Sequence, residues 1–175
     1  MKSLLIYSST DGQTKKICEA IKEYSPNKDF VLIHSLEEAL NLDIKNYEQI
    51  ILGASIRYGN YKSNVFKFIR NNKKILDTKK NAFFSVNVVA RKVDKNTPIT
   101  NPYVIKFLRK TDWRPKKMEV FAGKVDYPNY NFFNKLVIKF IMLITKGPTD
   151  TSQAYEFTDW EKVEEFAHEI RKISQ

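Results

Sequence analysis

MKSLLIYSSTDGQT, residues 1–14, is the stretch of sequence that decides the fold. A short apolar run from Leu4 to Tyr7 leads directly into a turn rich in Ser, Thr, Asp and Gly. This pattern predicts a buried β-strand over Lys2–Ser8. The next residues, Thr14–Tyr24, carry apolar side chains at helical spacing, which predicts a helix that begins where the turn ends.

The same alternation of strand and helix patterns continues along the 175 residues, a length that fits one domain, 1–175. Further strands are predicted at Phe30–His34, Gln49–Ala54, Ala82–Val89 and Met118–Ala122, and further helices at Ser63–Asn71, Asn101–Lys110 and Asp159–Ile173. Five strands separated by helices indicate an α/β fold, with a doubly wound parallel sheet covered on both faces.

One irregular segment, about 124–157, falls between the fifth strand and the last helix and is interpreted as an insertion near strand five. Within it, Ala154–Phe157 could be a second piece of that strand. Residues Asn131–Lys146 (NFFNKLVIKFIMLITK) form an amphipathic helical pattern, with Lys135, Lys139 and Lys146 opposite a broad apolar arc. Ile138 and Met142 interrupt the polar side of this pattern, which is too short to span a bilayer.

Two interpretations of this helix stay open. It packs on the domain's own core, or it lies on a membrane surface, as a broad apolar face with a lysine stripe suggests. The second is favoured here because the helix belongs to an insertion.

Composition excludes several classes of protein. Hydrophobic residues make up 42% of the chain and charged residues 29%, as expected for a folded domain. The single cysteine, Cys18, excludes an internal disulfide and a multi-cysteine metal site, so no metal is expected and a reducing compartment is indicated. The N-terminal apolar run is too short for a signal peptide, and no run of about 18 apolar residues predicts a membrane span. A cytoplasmic location is therefore expected.

The net charge of +10 concerns the choice of partners and says little about the fold. It is unevenly distributed, because residues 104–147 contain ten Lys or Arg against three Asp or Glu, whereas residues 148–175 contain three against seven. Nucleic acid, anionic lipid and acidic ligands are the partners that such a surface attracts, and a basic face without a partner is the alternative.

The polar turn after the first strand is the first candidate binding motif. Hydroxyls, a glycine and backbone N–H groups converge there on a helix N-terminus, which favours an anion. The motif lacks both the GxxxxGK[ST] and the GxGxxG pattern, so a single terminal phosphate fits better than a triphosphate or a dinucleotide. Asp11 is expected to turn outward, and a plain helix cap is the alternative. The candidate residues are Ser9, Thr10, Asp11, Gly12, Gln13 and Thr14.

Two further loops follow the third and fourth predicted strands. In a doubly wound sheet with strand order 2-1-3-4-5, ligands bind at the carboxyl ends of the strands, at the switch point between strands one and three. All three loops should therefore surround one crevice. Tyr58 offers an aromatic face to a flat ring, and backbone groups near Asn87 could contact the ring's polar edge. The candidate residues are Ala54, Ser55, Ile56, Arg57, Tyr58, Gly59, Ser85, Val86, Asn87 and Val88.

These loops resemble the flavodoxin family and, more finely, the menaquinone-dependent protoporphyrinogen IX dehydrogenases. The resemblance covers nearly the whole chain and is carried by DGQT (11–14), GASIRYG (53–59), SVNVVARK (85–92), TDWRP (111–115), TDT (149–151) and TDW (158–160). It implies a flavodoxin-like fold and FMN as the cofactor. It also implies oxidation of protoporphyrinogen IX, in haem biosynthesis, by removal of six electrons and six protons with menaquinone or another quinone as acceptor.

The resemblance supplies no acid or base residue, so the catalytic residues are unknown at this stage. The amphipathic pattern, together with the quinone and the hydrophobic tetrapyrrole that the resemblance implies, predicts a peripheral protein at the inner face of the cell membrane, with contact through 131–146. A flavodoxin-like FMN electron carrier or a general quinone reductase is the alternative, although carriers of that family are typically acidic. A nucleic-acid-binding protein would explain the charge, but it would leave the crevice without a purpose, so no nucleic acid is expected.

Overall fold

The computed structural model describes residues 1–173, which contain the predicted strands and helices and, in addition, a short helix over Leu36–Ala39 and a short strand over Lys124–Asp126 that the sequence analysis did not predict. The strands are β1 (Ser3–Ser8), β2 (Val31–Ser35), β3 (Gln49–Ser55), β4 (Lys80–Val86), β5 (Lys117–Phe121), β6 (Lys124–Asp126) and β7 (Ala154–Glu156). The helices are α1 (Gln13–Glu23), α2 (Leu36–Ala39), α3 (Ser63–Thr78), α4 (Pro102–Lys110), α5 (Phe132–Ile144) and α6 (Trp160–Arg171).

The main sheet has the order β2-β1-β3-β4-β5, and all four pairings in it are parallel. This confirms the predicted doubly wound, five-stranded sheet. The central strands are in a register that aligns their carboxyl ends. Ser8 of β1 lies opposite Ala54 of β3, and Ala54 lies opposite Ser85 of β4. The loops that follow these three strands therefore leave the sheet at the same edge.

The two faces of the sheet build two separate cores, because successive side chains of a strand point to opposite faces. Leu4 and Ile6 pack with residues of α2, α3 and α4, including Phe68 and Phe107. Leu5, between them, packs on the other face with residues of α1 and α6. Strands buried on both faces read as continuous apolar runs, which is why the first strand is recognisable in the sequence.

Most predicted boundaries differ from the structure by one or two residues, and two were wrong by more than that. β4 ends at Val86 rather than at Val89, because Asn87 begins a 3₁₀ turn over Val88–Arg91 and its side chain accepts a hydrogen bond from the Ala90 N–H at 3.1 Å. The third helix continues to Thr78 rather than ending at Asn71, and Leu76 in its added turns is fully buried. Burial of Leu76 is a tertiary contact that favours the longer helix.

The interpretation of Ala154–Phe157 as a second piece of strand five was wrong. β7 instead pairs antiparallel with β6 in a separate two-stranded sheet. The chain leaves β5 through Ala122 and Gly123, and the Phe157 N–H donates to the Gly123 carbonyl at 3.1 Å. The insertion is therefore closed at its base by its own short ribbon, and α5 lies between the two strands of that ribbon along the chain.

Gly53 in β3 lies beside Phe84 of β4, and a Cβ atom at this position would come within 2.1 Å of the Phe84 ring. That ring is fully buried and makes edge contacts with Phe121 and Phe166, so it cannot move aside without disturbing the core. The first residue of the GASIRYG motif is thus a packing requirement of the sheet.

We expect Gly53→Ala to lower the free energy of unfolding by about 1–3 kcal/mol, because it overpacks this core. Urea denaturation followed by circular dichroism measures the change. The double variant Gly53→Ala/Phe84→Leu should recover part of the loss, since the smaller side chain gives the new methyl group space. A single variant as stable as the parent would show that the core yields easily at Gly53.

Candidate functional site

The loop after β1 turns sharply into α1 and leaves the helix terminus open. Gly12 precedes the helix with a φ of 84°, a left-handed conformation that glycine adopts without a Cβ clash, and its N–H donates to Ser9 Oγ at 3.0 Å. In the described part of the chain, no side chain caps α1. The first-turn N–H groups and the positive end of the helix dipole are therefore available to an anion.

Thr14, the second residue of α1, adds an unused donor at the same place. Its side chain is 0% exposed, yet its Oγ1 has no hydrogen-bond partner within residues 1–173. Buried hydroxyls are nearly always hydrogen-bonded in folded proteins. Because Thr14 also lines the crevice at the strand ends, its hydroxyl is placed to donate to an anion held by the helix terminus.

Contacts from the last part of the chain hold this loop in place. Gln13 is buried and donates to Thr158 Oγ1 at 2.8 Å and to Glu156 Oε1 at 3.2 Å. Thr158 in turn donates to the Ala122 carbonyl at 2.8 Å. The TDW motif at 158–160 thus supports the candidate anion site from behind.

The loop after β3 forms a tight turn that presents Tyr58 at the rim of the crevice. Arg57 and Asn60 exchange backbone hydrogen bonds of 3.0 and 3.1 Å, and the two residues between them, Tyr58 and Gly59, have φ angles of 49° and 77°. Positive φ at both central positions is the geometry of a type I′ turn. Tyr58 is exposed, and its hydroxyl donates to Asn134 Oδ1 of α5.

The loop after β4 is fixed by a buried network of polar side chains. Ser85 Oγ accepts hydrogen bonds from the Tyr61 hydroxyl at 2.7 Å and from Asn87 Nδ2 at 3.0 Å. Asn101 Nδ2 donates to Asn87 Oδ1 at 3.2 Å, which ties the start of α4 to the same point. Because these groups satisfy one another, Ser85 and Asn87 define the position of the loop, in which Val86, Asn87 and Val88 line the crevice.

Asp11, Arg57 and Tyr130 form a charged cluster at one side of the crevice. Arg57 NH1 lies 2.8 Å from Asp11 Oδ2, and the Tyr130 hydroxyl donates to the same oxygen at 3.0 Å. The guanidinium lies 5.0 Å from the ring centroids of both Tyr58 and Tyr130, so it is held between two aromatic faces. Burial, with the nearby Asp11 carboxylate, raises the pKa of Tyr130, so its hydroxyl stays a donor to a higher pH than that of an ordinary tyrosine.

The insertion supplies a wall of the crevice that the sequence did not predict. Tyr130 precedes α5, and Ile138 and Ile141 of α5 face the cavity together with Val125 of β6. Other lining residues missed by the sequence argument are Val89, Tyr103, Gly123 and Lys124. The interruption of the polar side of α5 by Ile138 and Met142 was the available signal, because these residues mark the face that packs on the domain.

α5 therefore has one face toward the domain and another toward solvent. Met142 is 1% exposed and packs with Val125 and Tyr127. Arg91 NH2 donates to the Thr145 carbonyl at 2.8 Å, which fixes the end of the helix to the loop after β4. The opposite face carries large apolar residues that are 57–84% exposed, namely Phe132, Phe133, Leu136, Phe140, Leu143 and Ile144.

Most of the predicted site residues meet around this crevice. Those that line it are Ser9, Thr10, Asp11, Gln13, Thr14, Ser55, Ile56, Arg57, Tyr58, Gly59, Val86, Asn87 and Val88. Gly12 shapes the turn before α1, whereas Ala54 and Ser85 are buried behind the crevice. Asp11 does not turn away from the site as expected, and its charge is instead paired with Arg57.

Sequence comparison finds relatives that align with nearly the whole of this chain. The family described as the flavodoxin domain matches residues 4–152. A protein of Escherichia coli (strain K12) named protoporphyrinogen IX dehydrogenase [quinone] is 40% identical over 178 residues, covering 99% of this chain and 97% of the relative. A protein of Leishmania major with the same name is 40% identical over 174 residues, covering 98% of this chain and 75% of the relative.

Structural comparison gives the same fold at low sequence identity. Oxidised flavodoxin 1 from Bacillus cereus superposes with a TM-score of 0.56 and 18% identity, covering 99% of this chain and 100% of that one. Oxidised flavodoxin 2 from the same organism gives a TM-score of 0.53 and 19% identity, covering 98% and 99%. From its sheet order and from relatives that align with nearly all of it, the chain belongs to the flavodoxin domain family and, within it, to the protoporphyrinogen IX dehydrogenases that use a quinone.

Proposed function

We propose that this protein binds one FMN without a covalent bond and oxidises protoporphyrinogen IX to protoporphyrin IX, with menaquinone or another quinone as electron acceptor. The observation that carries the cofactor proposal is the crevice at the ends of β1, β3 and β4, where the open terminus of α1 meets the unpartnered hydroxyl of Thr14. The reaction follows from the shared name of relatives that align with almost the whole chain.

The residues present fit a flavin mononucleotide. A terminal phosphate would accept hydrogen bonds from the backbone N–H groups in the first turn of α1 and from the Thr14 hydroxyl. These donors are uncharged, and the loop contributes no lysine. Asp11 would place a negative charge near that phosphate, but Arg57 compensates it at 2.8 Å. Tyr58 and the apolar residues Ile56, Val86 and Val88 offer the flat, largely apolar surroundings that an aromatic ring system requires.

FMN, when bound, supplies the acceptance and delivery of electrons, and the chain supplies position and surroundings. The Tyr58 turn and the loop after β4 are rigid because backbone bonds hold the first and the buried Ser85–Asn87–Asn101 network holds the second. Ile138 and Ile141 of α5 exclude water on the side of the insertion. The Asp11–Arg57–Tyr130 cluster keeps its charges balanced at the rim.

We further propose that the outer face of α5 rests on the inner face of the cell membrane, where a lipid-soluble quinone is found. Exposed apolar patches of this kind are unusual on a monomer without a partner. Lys135, Lys139 and Lys146 belong to the same segment, and the chain as a whole carries a net charge of +10, which suits anionic lipid. Within residues 1–173 no helix has the length and apolar character that crossing a bilayer requires, so the contact proposed is peripheral.

Thr14→Val tests the phosphate position. The variant keeps the shape of a fully buried side chain and removes only its hydroxyl, so the fold should persist. We expect FMN affinity to fall by about 1.5–3 kcal/mol, whereas riboflavin, which lacks the phosphate, should bind as before. Fluorescence titration of both ligands measures the difference. Thr78→Val, at the exposed end of α3, is the matched control, and equal losses for FMN and riboflavin in Thr14→Val would show that the phosphate lies elsewhere.

The reaction itself is tested with anaerobically prepared protoporphyrinogen IX and a menaquinone analogue. We expect the FMN-loaded protein to produce protoporphyrin IX, detected by porphyrin fluorescence, at a rate that depends on protein, flavin and quinone together. Omission of the quinone under anaerobic conditions should stop turnover after the bound flavin is reduced. A flavin-loaded protein that reduces quinone with other donors but leaves protoporphyrinogen IX unchanged would be a general quinone reductase or a carrier instead.

Vesicle sedimentation tests the membrane contact. Phe133→Ser/Phe140→Ser/Ile144→Ser should weaken binding to anionic and neutral vesicles alike, because apolar burial contributes about 25 cal/mol per Å². Lys135→Gln/Lys139→Gln/Lys146→Gln should remove the preference for anionic lipid, at about 1 kcal/mol per lysine. Both variants should keep FMN, since these side chains point away from the crevice.

Phe30→Ser is the control for the apolar variant, because Phe30 is equally exposed but precedes β2 at the opposite end of the sheet. A triple serine variant that binds vesicles as the parent does would move the contact to another surface. One that unfolds the domain would assign these residues to the core.

A further inference from the structure

A second cleft lies beside the crevice, between the Tyr58 turn and helix α4. The two cavities share Ile56, Gly59 and Tyr103, so a ligand in the crevice could extend into the cleft without leaving the protein surface. Half of the remaining lining is aromatic, namely Tyr61, Phe66 and Phe107. The cleft is therefore a side branch of the proposed flavin site with an apolar, aromatic wall.

Two lysines line this apolar branch. Lys106 and Lys110 are one helical turn apart on α4, a spacing that puts both side chains on the same face. Lys106 Nζ donates to Asn60 Oδ1 at 2.8 Å, and Lys110 Nζ lies 5.9 Å from the centroid of the Phe66 ring. Each ammonium group is thus directed to the cleft by a neighbour that does not neutralise its charge.

Neither lysine forms an ion pair with a carboxylate in the described part of the chain. Two other lysines near the crevice are compensated, Lys16 by Glu156 at 3.1 Å and Lys124 by Asp126 at 2.7 Å, whereas Lys62 Nζ donates to the Ser9 carbonyl at 3.0 Å. The cleft consequently concentrates uncompensated positive charge next to the place where the substrate must meet the cofactor. A site of this composition favours a ligand that is apolar in its body and anionic at its ends.

We propose that Lys106 and Lys110 bind the propionate carboxylates of the porphyrinogen and so select a dicarboxylic tetrapyrrole. This inference rests on the proposed function. Alkyl carboxylates are ionised near neutral pH, as the side chain of Glu is. Lysine recognises such a group as a point charge, and its flexible stem adjusts to a substrate that enters and leaves. With FMN in the crevice, the tetrapyrrole would lie over the flavin at the mouth of the crevice, and its propionates would extend along the aromatic wall toward α4.

The test compares protoporphyrinogen IX with its dimethyl ester, both delivered in neutral detergent micelles at saturating quinone. We expect Lys106→Gln/Lys110→Gln to raise the KM for the dicarboxylic substrate by about tenfold, as loss of two partly exposed ion pairs implies. The KM for the diester, which lacks the charges, should stay unchanged. Flavin content and the KM for quinone should also stay unchanged, and Lys106→Arg/Lys110→Arg should retain the low KM for the acid.

The matched control is Lys67→Gln/Lys74→Gln, which removes the same charge from exposed positions of α3 that line neither cavity. It should leave the KM values for both substrates as in the parent. The lysine site is overturned if the parent uses acid and diester with equal KM, or if the glutamine variant raises both KM values alike. A flavin-loaded parent that oxidises neither porphyrinogen overturns the proposed function, and the lysine site with it.

Discussion

Parallel pairing of β1 with β3 and of β3 with β4 is the constraint on which the whole site depends. In this register Ser8, Ala54 and Ser85 lie side by side, so the three loops that follow them begin next to one another at the carboxyl ends of the strands. Helices cover both faces of the sheet, which leaves that edge as the place where loops can build a crevice. Residues far apart in the chain become neighbours there because the backbone hydrogen bonds of the sheet fix their positions. This placement does not depend on the side chains that would contact a ligand.

The site at the carboxyl ends of the strands also depends on a balance of charges. An open helix terminus attracts an anion, and the carboxylate of Asp11 in the same loop would oppose it. Arg57, in the loop after β3, compensates the charge of Asp11, and Tyr130 of the insertion donates to the same carboxylate. One cluster therefore joins the loops after β1 and β3 to the insertion, and a change in any one of the three residues alters the electrostatics of the others.

The two faces of α5, the helix of the insertion, have different surroundings. The inner face packs on the domain through the buried side chain of Met142. Two hydrogen bonds hold it there, one from the Tyr58 hydroxyl to Asn134 and one from Arg91 to the Thr145 carbonyl, and this face completes the crevice. The outer face is left without a partner among the described residues and carries six large apolar side chains. A helix that contacts the crevice on one side and lipid on the other would bring a quinone dissolved in the membrane close to the crevice that supplies its electrons.

The sequence by itself determined the parallel sheet and most residues of the crevice. The order of the strands came from the resemblance to a known family. Buried strands, helix starts and strand-end loops depend on short-range patterns of hydropathy and turn chemistry. A capping box at Ser35 and Glu38, which begins α2, was another local signal that could have been read. Only the tertiary structure decided that β7 pairs with β6, that Gly53 makes room for Phe84, and that Tyr130, Ile138 and Ile141 line the crevice. These facts depend on contacts between distant segments, and a helical wheel gives the faces of α5 without saying which of them the rest of the chain will cover.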